Sequence, residues 1–146
     1  VQPNDFSSSW VDFYADQRLR AIGKACEKAN GKDAELGRLV ESTASVVVPR
    51  LLRDGHLKSH DGGPIVPVVV HGDLWSGNHG RGKIGGEGPV EEVVYDPSSA
   101  WAHSEFEMGI MKIFGGFSGV MKEYHELKPK DKPIEEYEDR VELYEL

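Results

Sequence analysis

With 146 residues, 38% hydrophobic and 29% charged, the chain is long enough for one domain or lobe with its own core and too apolar for intrinsic disorder. The net charge is −8 and the Lys and Arg residues are scattered, which argues against a nucleic-acid surface, since that needs clustered cations. No apolar run nears the roughly 20 residues of a membrane span, so neither nucleic acid nor membrane is an expected partner. The opening residues carry no signal-peptide pattern, and the single cysteine, Cys26, excludes an intrachain disulfide. A cytoplasmic location is the expectation that follows, with Cys26 a small buried hydrophobe.

Ser7-Ser8-Ser9 offers an N-cap, and Asp12, three residues after Ser9, resembles a capping box. Trp10, Phe13, Leu19, Ile22 and Cys26 follow at helical spacing until Asn30-Gly31 ends the pattern. Asp33 is placed to cap a second helix whose apolar face is Leu36, Leu39, Val40, Ala44 and Val47, with Pro49 interrupting or kinking it. From Asp54 to Pro67 the chain is rich in Gly, Pro, His and Asp and reads as an exposed loop.

Val66 to Val70 is a β-branched run, expected to be a short buried strand, and Val90 to Tyr95 also favours a strand. The glycines between them mark a turn-rich connection, so a hairpin joining these two strands is expected. Helices are predicted from His103 to Phe114, ended by Gly115-Gly116, from Phe117 to about Leu127, and from Ile134 to Leu146. The fold class is therefore α+β, mostly helical, with a small β-hairpin that carries the polar motif.

That motif is His71-Gly72-Asp73-Leu74-Trp75-Ser76-Gly77-Asn78, directly after the Val run, with Asp96 at the end of the next strand pattern. Phosphoryl transfer from a nucleotide to an alcohol needs such a set. One carboxylate accepts the hydroxyl proton, here Asp73, while an amide oxygen and a second carboxylate, Asn78 and Asp96, hold Mg²⁺. His71 is expected to organise the loop through hydrogen bonds. Gly80-Arg81-Gly82-Lys83-Ile84-Gly85 fits G-x-G-x-x-G, but it follows the motif and opens no helix, so it reads as a plain hairpin turn.

The chain resembles the fructosamine kinase family, also called ketosamine-3-kinases or protein-ribulosamine kinases, over most of its length from about Trp10. The resemblance rests on Trp10-Val11-Asp12-Phe13-Tyr14 with Gln17-Arg18-Leu19-Arg20, on His71 to Asn78, and on Asp96-Pro97. It extends to His103-Ser104-Glu105-Phe106-Glu107 and Phe114-Gly115-Gly116-Phe117. It implies a protein-kinase-like fold akin to aminoglycoside and choline phosphotransferases, with ATP and Mg²⁺ as cofactors. The implied reaction is phosphorylation of the sugar 3-hydroxyl of ketosamines, on small amines or on glycated protein lysines.

By position, Asp73 matches the catalytic aspartate, Asn78 the metal-binding asparagine and Asp96 the second metal ligand. The last motif reads Asp96-Pro97-Ser98 and not the Asp-Phe-Gly of protein kinases, so an inactivating Phe flip is not expected. Trp75 is a candidate for stacking on a sugar or for packing the loop, and His103 and Glu105 are candidates for substrate contact or for a structural pairing. No glycine-rich phosphate lid or strand lysine precedes residue 71, and the chain opens on Val. Residues 1–146 are thus expected to be the C-terminal lobe of such a kinase, inactive alone, with the nucleotide lobe and its ATP-anchoring lysine elsewhere. A small-molecule phosphotransferase of the aminoglycoside or choline type, and a non-catalytic truncated fragment, are the alternatives. Oligomeric state and the preferred glycated amine are not legible.

Overall fold

The structure is a computed structural model, and it describes residues 2–114, 117 and 119–146. The chain divides into two compact units, residues 1–65 with 132–140 and residues 66–131 with 141–146. Helices and small two-stranded sheets make it α+β.

The first unit is helical. α1 (Trp10–Phe13) begins where Ser9 Oγ accepts the Asp12 amide at 3.2 Å, a cap of about 1 kcal/mol. The reciprocal arm of a capping box is not made, because the Ser9 amide donates to Ser7 Oγ instead. A wide-turned segment, Tyr14–Arg20, leads into α2 (Ala21–Asn30), and Gly31 ends it at φ +90°, where a side chain would be strained. Asp33 caps α3 (Ala34–Ser42) through the amides of Glu35 and Leu36.

A second wide-turned segment, Thr43–Val47, carries the helix on into α4 (Val48–Leu52). Pro49 sits in the first turn of α4, directly after this wide-turned segment, and the helix runs on past it. Phe13, Tyr14, Ala15, Leu19, Ala44, Val48, Leu51, Leu52, Leu57 and Tyr137 form the buried apolar set described for this unit. Leu36 and Leu39 of the predicted apolar face are 42% and 48% exposed, and Cys26 is half-buried, not buried.

Arg18 is buried and ties Pro3 and Asn4 to the helix. Its guanidinium donates to Pro3 O and Asn4 Oδ1 and lies 4.6 Å from the Phe13 ring centroid, while Gln17 exchanges two 2.8 Å bonds with the Asp5 backbone. Burial pulls the Arg18 pKa down, and the neighbouring Tyr14 opposes that shift.

Among the described residues, the second unit carries all the strands. The expected hairpin between residues 66–70 and 90–95 does not form. β1 (Val68–Val70) instead pairs antiparallel with β4 (Ala100–Ala102), in the register Val69↔Trp101. β2 (His79–Gly82) pairs antiparallel with β3 (Glu91–Val94), in the register His79↔Val94. The Gly80–Gly85 run becomes a hairpin strand and its turn. The motif loop lies between the two sheets' strands, following β1 and preceding β2.

Nor is the valine run buried: Val66, Val68 and Val69 are 73%, 39% and 60% exposed, and only Val70 faces the interior. α5 (Phe106–Ile113), α6 (Met121–Leu127) and the last residues of α7 (Tyr137–Tyr144) complete this unit. At Gly109 an added Cβ would stand 2.3 Å from Tyr144 O, so α5 approaches this backbone at glycine distance. The predicted helix stop at Gly115-Gly116 lies outside the described residues. Among the described residues, no helix is long and apolar enough to cross a membrane.

Candidate active site

The loop after β1 is organised by bonds made within residues 71–78. Asn78 is buried, and one terminal atom of its side chain lies 2.8 Å from Asp73 O and 2.9 Å from Asp73 Oδ2. Both of those atoms are acceptors, so the atom facing them is the amide nitrogen. Asn78 thus spends its two hydrogens on Asp73, and its Oδ1 accepts no hydrogen bond among the described residues. The turn between them is a 3₁₀ segment, Ser76–Asn78, with the Asn78 amide donating to Trp75 O at 2.9 Å.

His71 bridges the loop to β3. The Asp73 amide donates to Nδ1 at 3.3 Å, which puts the ring hydrogen on Nε2, and Nε2 donates to Tyr95 O at 3.0 Å. Tyr95 makes two further bonds: its amide to Asn78 O at 3.0 Å and its hydroxyl to Gly77 O at 2.9 Å. Three bonds therefore register Tyr95 on the loop that holds Asp73 and Asn78. Asp96, the next residue, is exposed and sits at φ +57°, a left-handed conformation that aspartate tolerates better than most residues. Its carboxylate makes no hydrogen bond among the described residues. Asn78 Oδ1 and the Asp96 carboxylate are hard oxygen donors, the class Mg²⁺ takes, and the loop leaves them uncommitted, as it does Asp73 Oδ1.

Trp75 is half-buried. Its ring lies 5.3 Å from that of Phe114, tilted by 51°, and covers Gly77 so closely that a Cβ there would be 2.3 Å from the indole. Those contacts give it a packing role in the loop.

His103 and Glu105 are not at this surface. They are 1% and 4% exposed, and they build a buried network. His103 Nε2 donates to Asp131 Oδ2 at 2.9 Å, Nδ1 faces the Tyr144 hydroxyl at 2.9 Å, and Glu105 Oε1 accepts the Asp131 amide at 2.8 Å. Lys128 Nζ completes it at 2.9 Å from Asp131 Oδ1. Burial alone would push the Asp131 carboxyl up, but the hydrogen bonds from His103 and Lys128 outweigh it and hold the pKa at about 2. The ligand atoms of His103, Glu105 and Asp131 lie within 4.8 Å of one another, yet His103 and Asp131 are spent on each other. This cluster is a polar core: of the two readings of His103 and Glu105, the structural pairing is the one these contacts make.

Two residues that build the site were not among its predicted members. Tyr95 is one. The other is Glu107, whose buried carboxylate accepts the Gly72 amide at 3.0 and 3.1 Å and the Leu74 amide at 3.3 Å. In the sequence it closes the His103 to Glu107 run and stands as an acid among Phe106, Met108, Ile110 and Met111.

A family model described as fructosamine kinase matches residues 1–146. The chain belongs to the fructosamine kinase family. It is 37% identical over 146 residues to a ketosamine-3-kinase of Mus musculus, covering 99% of this chain and 41% of that protein. It is 32% identical to a chloroplastic protein-ribulosamine 3-kinase of Oryza sativa subsp. indica, covering 98% of this chain and 37% of the relative. Among solved structures it superimposes on a candidate fructosamine-3-kinase of Thermobifida fusca with a TM-score of 0.75 at 26% identity. That match covers 99% of this chain and 44% of the other. The chain spans about two fifths of the length of these family members.

Proposed function

We propose that this chain is the catalytic-loop lobe of an ATP-dependent ketosamine 3-kinase with a protein-kinase-like fold. The observation that carries the proposal is the convergence on one loop: Asn78 bonded to Asp73, and Tyr95, the residue before Asp96, bonded to His71, Gly77 and Asn78 of that loop. Family membership makes the phosphotransfer reading the natural one for that geometry.

In this reading Asp73 accepts the proton of the sugar 3-hydroxyl as its oxygen attacks the γ-phosphorus of ATP. The new bond is O3–P, the bond broken joins the γ-phosphorus to the β–γ bridging oxygen, and ADP leaves. The Asn78 amide keeps the Asp73 carboxylate oriented through Oδ2, and its own oxygen, with Asp96, would hold Mg²⁺. When bound, that ion would supply charge neutralisation for the transferred phosphoryl group. His71 holds the loop to β3 and moves no proton. Trp75 closes over Gly77 and presents an aromatic edge beside the loop. Phosphorylation at O3 destabilises the ketosamine and favours loss of the sugar from the amine.

The test is a substrate panel, run with ATP and Mg²⁺ on the full reading frame that encodes these residues. Fructosamine and ribulosamine adducts of lysine are expected to be phosphorylated. Turnover of choline or an aminoglycoside with the ketosamines ignored would move the protein to the other phosphotransferase class, and no turnover of any would leave a non-catalytic fold.

A further inference from the structure

The β1–β4 ribbon carries an exposed apolar pair beside the loop that the phosphotransfer reading leaves without a role. Val69 and Trp101 stand opposite each other in the antiparallel register, and the indole is 69% exposed. Cross-strand neighbours have Cβ atoms about 5 Å apart, so the isopropyl group and the indole make one surface. The other face of the ribbon is the one packed inward, through Val70 and Ala102. Ser99, two residues before Trp101, is exposed as well, so the outward surface is apolar with a hydroxyl beside it and carries no charge.

This surface is tied to the loop by the path of the chain. The register Val69↔Trp101 and Val70↔Ala100 leads on to Gly72 and Ser98, whose backbones lie so close that a Cβ on Gly72 would strike Ser98 O. Asp73 is four residues beyond Val69, which puts their Cα atoms at most roughly 14 Å apart. Side chains alternate along a strand, so with Val70 turned inward, Val69 and His71 share the other face. The His71 ring is the one that accepts the Asp73 amide. In a ketosamine the amine nitrogen is on the order of 5 Å from O3, and a hydrocarbon arm on that nitrogen spans the rest of the distance.

We propose that the Val69–Trp101 pair is the seat for the aliphatic arm of the amine that carries the ketosamine, and that Trp101 is a specificity-determining residue. A flat indole beside a branched aliphatic group takes hydrocarbon, and it presents no carboxylate or amide to sugar hydroxyls. The proposal rests on the phosphotransfer reading and names the part of the substrate that the loop does not hold.

The test compares the fructosamine adducts of methylamine and hexylamine, with ATP and Mg²⁺, on the full reading frame. The two differ only in hydrocarbon, and the parent should favour the hexylamine adduct about ten-fold in kcat/KM, through KM. Trp101→Ala should bring that ratio to about one by raising KM for the hexylamine adduct, with turnover of the methylamine adduct as in the parent. Val69→Thr keeps the β-branched shape and adds a hydroxyl; it should lose about three-fold of the preference, and it decides if the alanine variant does not fold. Radical footprinting of the free protein should label Trp101. The same preference in Trp101→Ala as in the parent, or a parent with none, would overturn the seat while leaving the kinase reading in place. A Trp101 shielded from labelling in the free protein would also overturn it, because another part of the chain would then occupy the surface. If the parent phosphorylates neither adduct, the function reading falls and the proposal with it.

Discussion

Replacing Gly72 by alanine adds one methyl group at the tightest point of the loop. The new Cβ would stand 2.2 Å from Ser98 O and 3.0 Å from Ser98 C, both backbone atoms that no rotamer change can move. A carbon and a carbonyl oxygen sit comfortably at about 3.3 Å, so the two segments must part by about 1 Å. Gly72 is held on its other side by Glu107, and the shift therefore falls on Asp73, next in the chain, or on Ser98, two residues beyond Asp96. The φ of +79° adds about 1 kcal/mol for a residue with a Cβ, and overpacking adds about 1–3 kcal/mol, for a total of about 3 kcal/mol.

Gly88 provides the matched control: it has φ +80°, lies in the same unit, and a Cβ there meets nothing within 4 Å. Gly88→Ala should lose only the conformational part, about 1 kcal/mol, with kinetics untouched. Urea unfolding followed by tryptophan fluorescence reads the stabilities, and phosphotransfer rates read the site, where Gly72→Ala should fall about a hundred-fold. Equal stability losses for the two variants, with Gly72→Ala turning over like the parent, would refute the reasoning.

The Asp131 carboxyl is held at about 2, below its ordinary value of 3.8, so its stabilisation is complete above about pH 4 and disappears as the pH falls through about 2. The shift corresponds to about 2 kcal/mol, and Asp131→Asn should flatten the parent's loss of stability over that window by this amount; identical acid profiles in urea titrations from pH 5 to pH 2 would contradict it. Asp96→Asn should raise the Mg²⁺ concentration needed for half-maximal rate by about ten-fold or more, since a neutral ligand replaces an anionic one, whereas an unchanged Mg²⁺ dependence would remove Asp96 from the metal.

Local signals carried their own elements well. Ser9 and Asp33 cap the helices they precede, Gly31 stops the one it follows, and the G-x-G-x-x-G run forms a hairpin turn. Strand pairing was not legible, for a physical reason. β2 reads His-Gly-Arg-Gly and β4 reads Ala-Trp-Ala, neither with a β-branched pattern, so their claims on β3 and β1 exist only in the folded chain. Asp73, Asn78 and Asp96 could be picked from the sequence because the proposed chemistry needs fixed residue types just after two strand patterns. The residues that hold the loop could not, since Tyr95 reaches it across 24 positions from His71 and Glu107 across 35 from Gly72. A long-range bond from a side chain to a backbone amide leaves no periodicity behind. His103 and Glu105 show the converse: they look chemical in a motif, yet the fold spends them on Asp131.

The most direct measurement is single-turnover transfer of γ-phosphate from ATP to a ketosamine by the full reading frame, compared with its Asp73→Asn form at matched folding. The substitution keeps the size of the side chain and removes the proton acceptor, so the transfer rate should drop about a hundred- to ten-thousand-fold while nucleotide binding persists. Transfer at the parent rate in a correctly folded Asp73→Asn protein would contradict the assignment of Asp73 as the base.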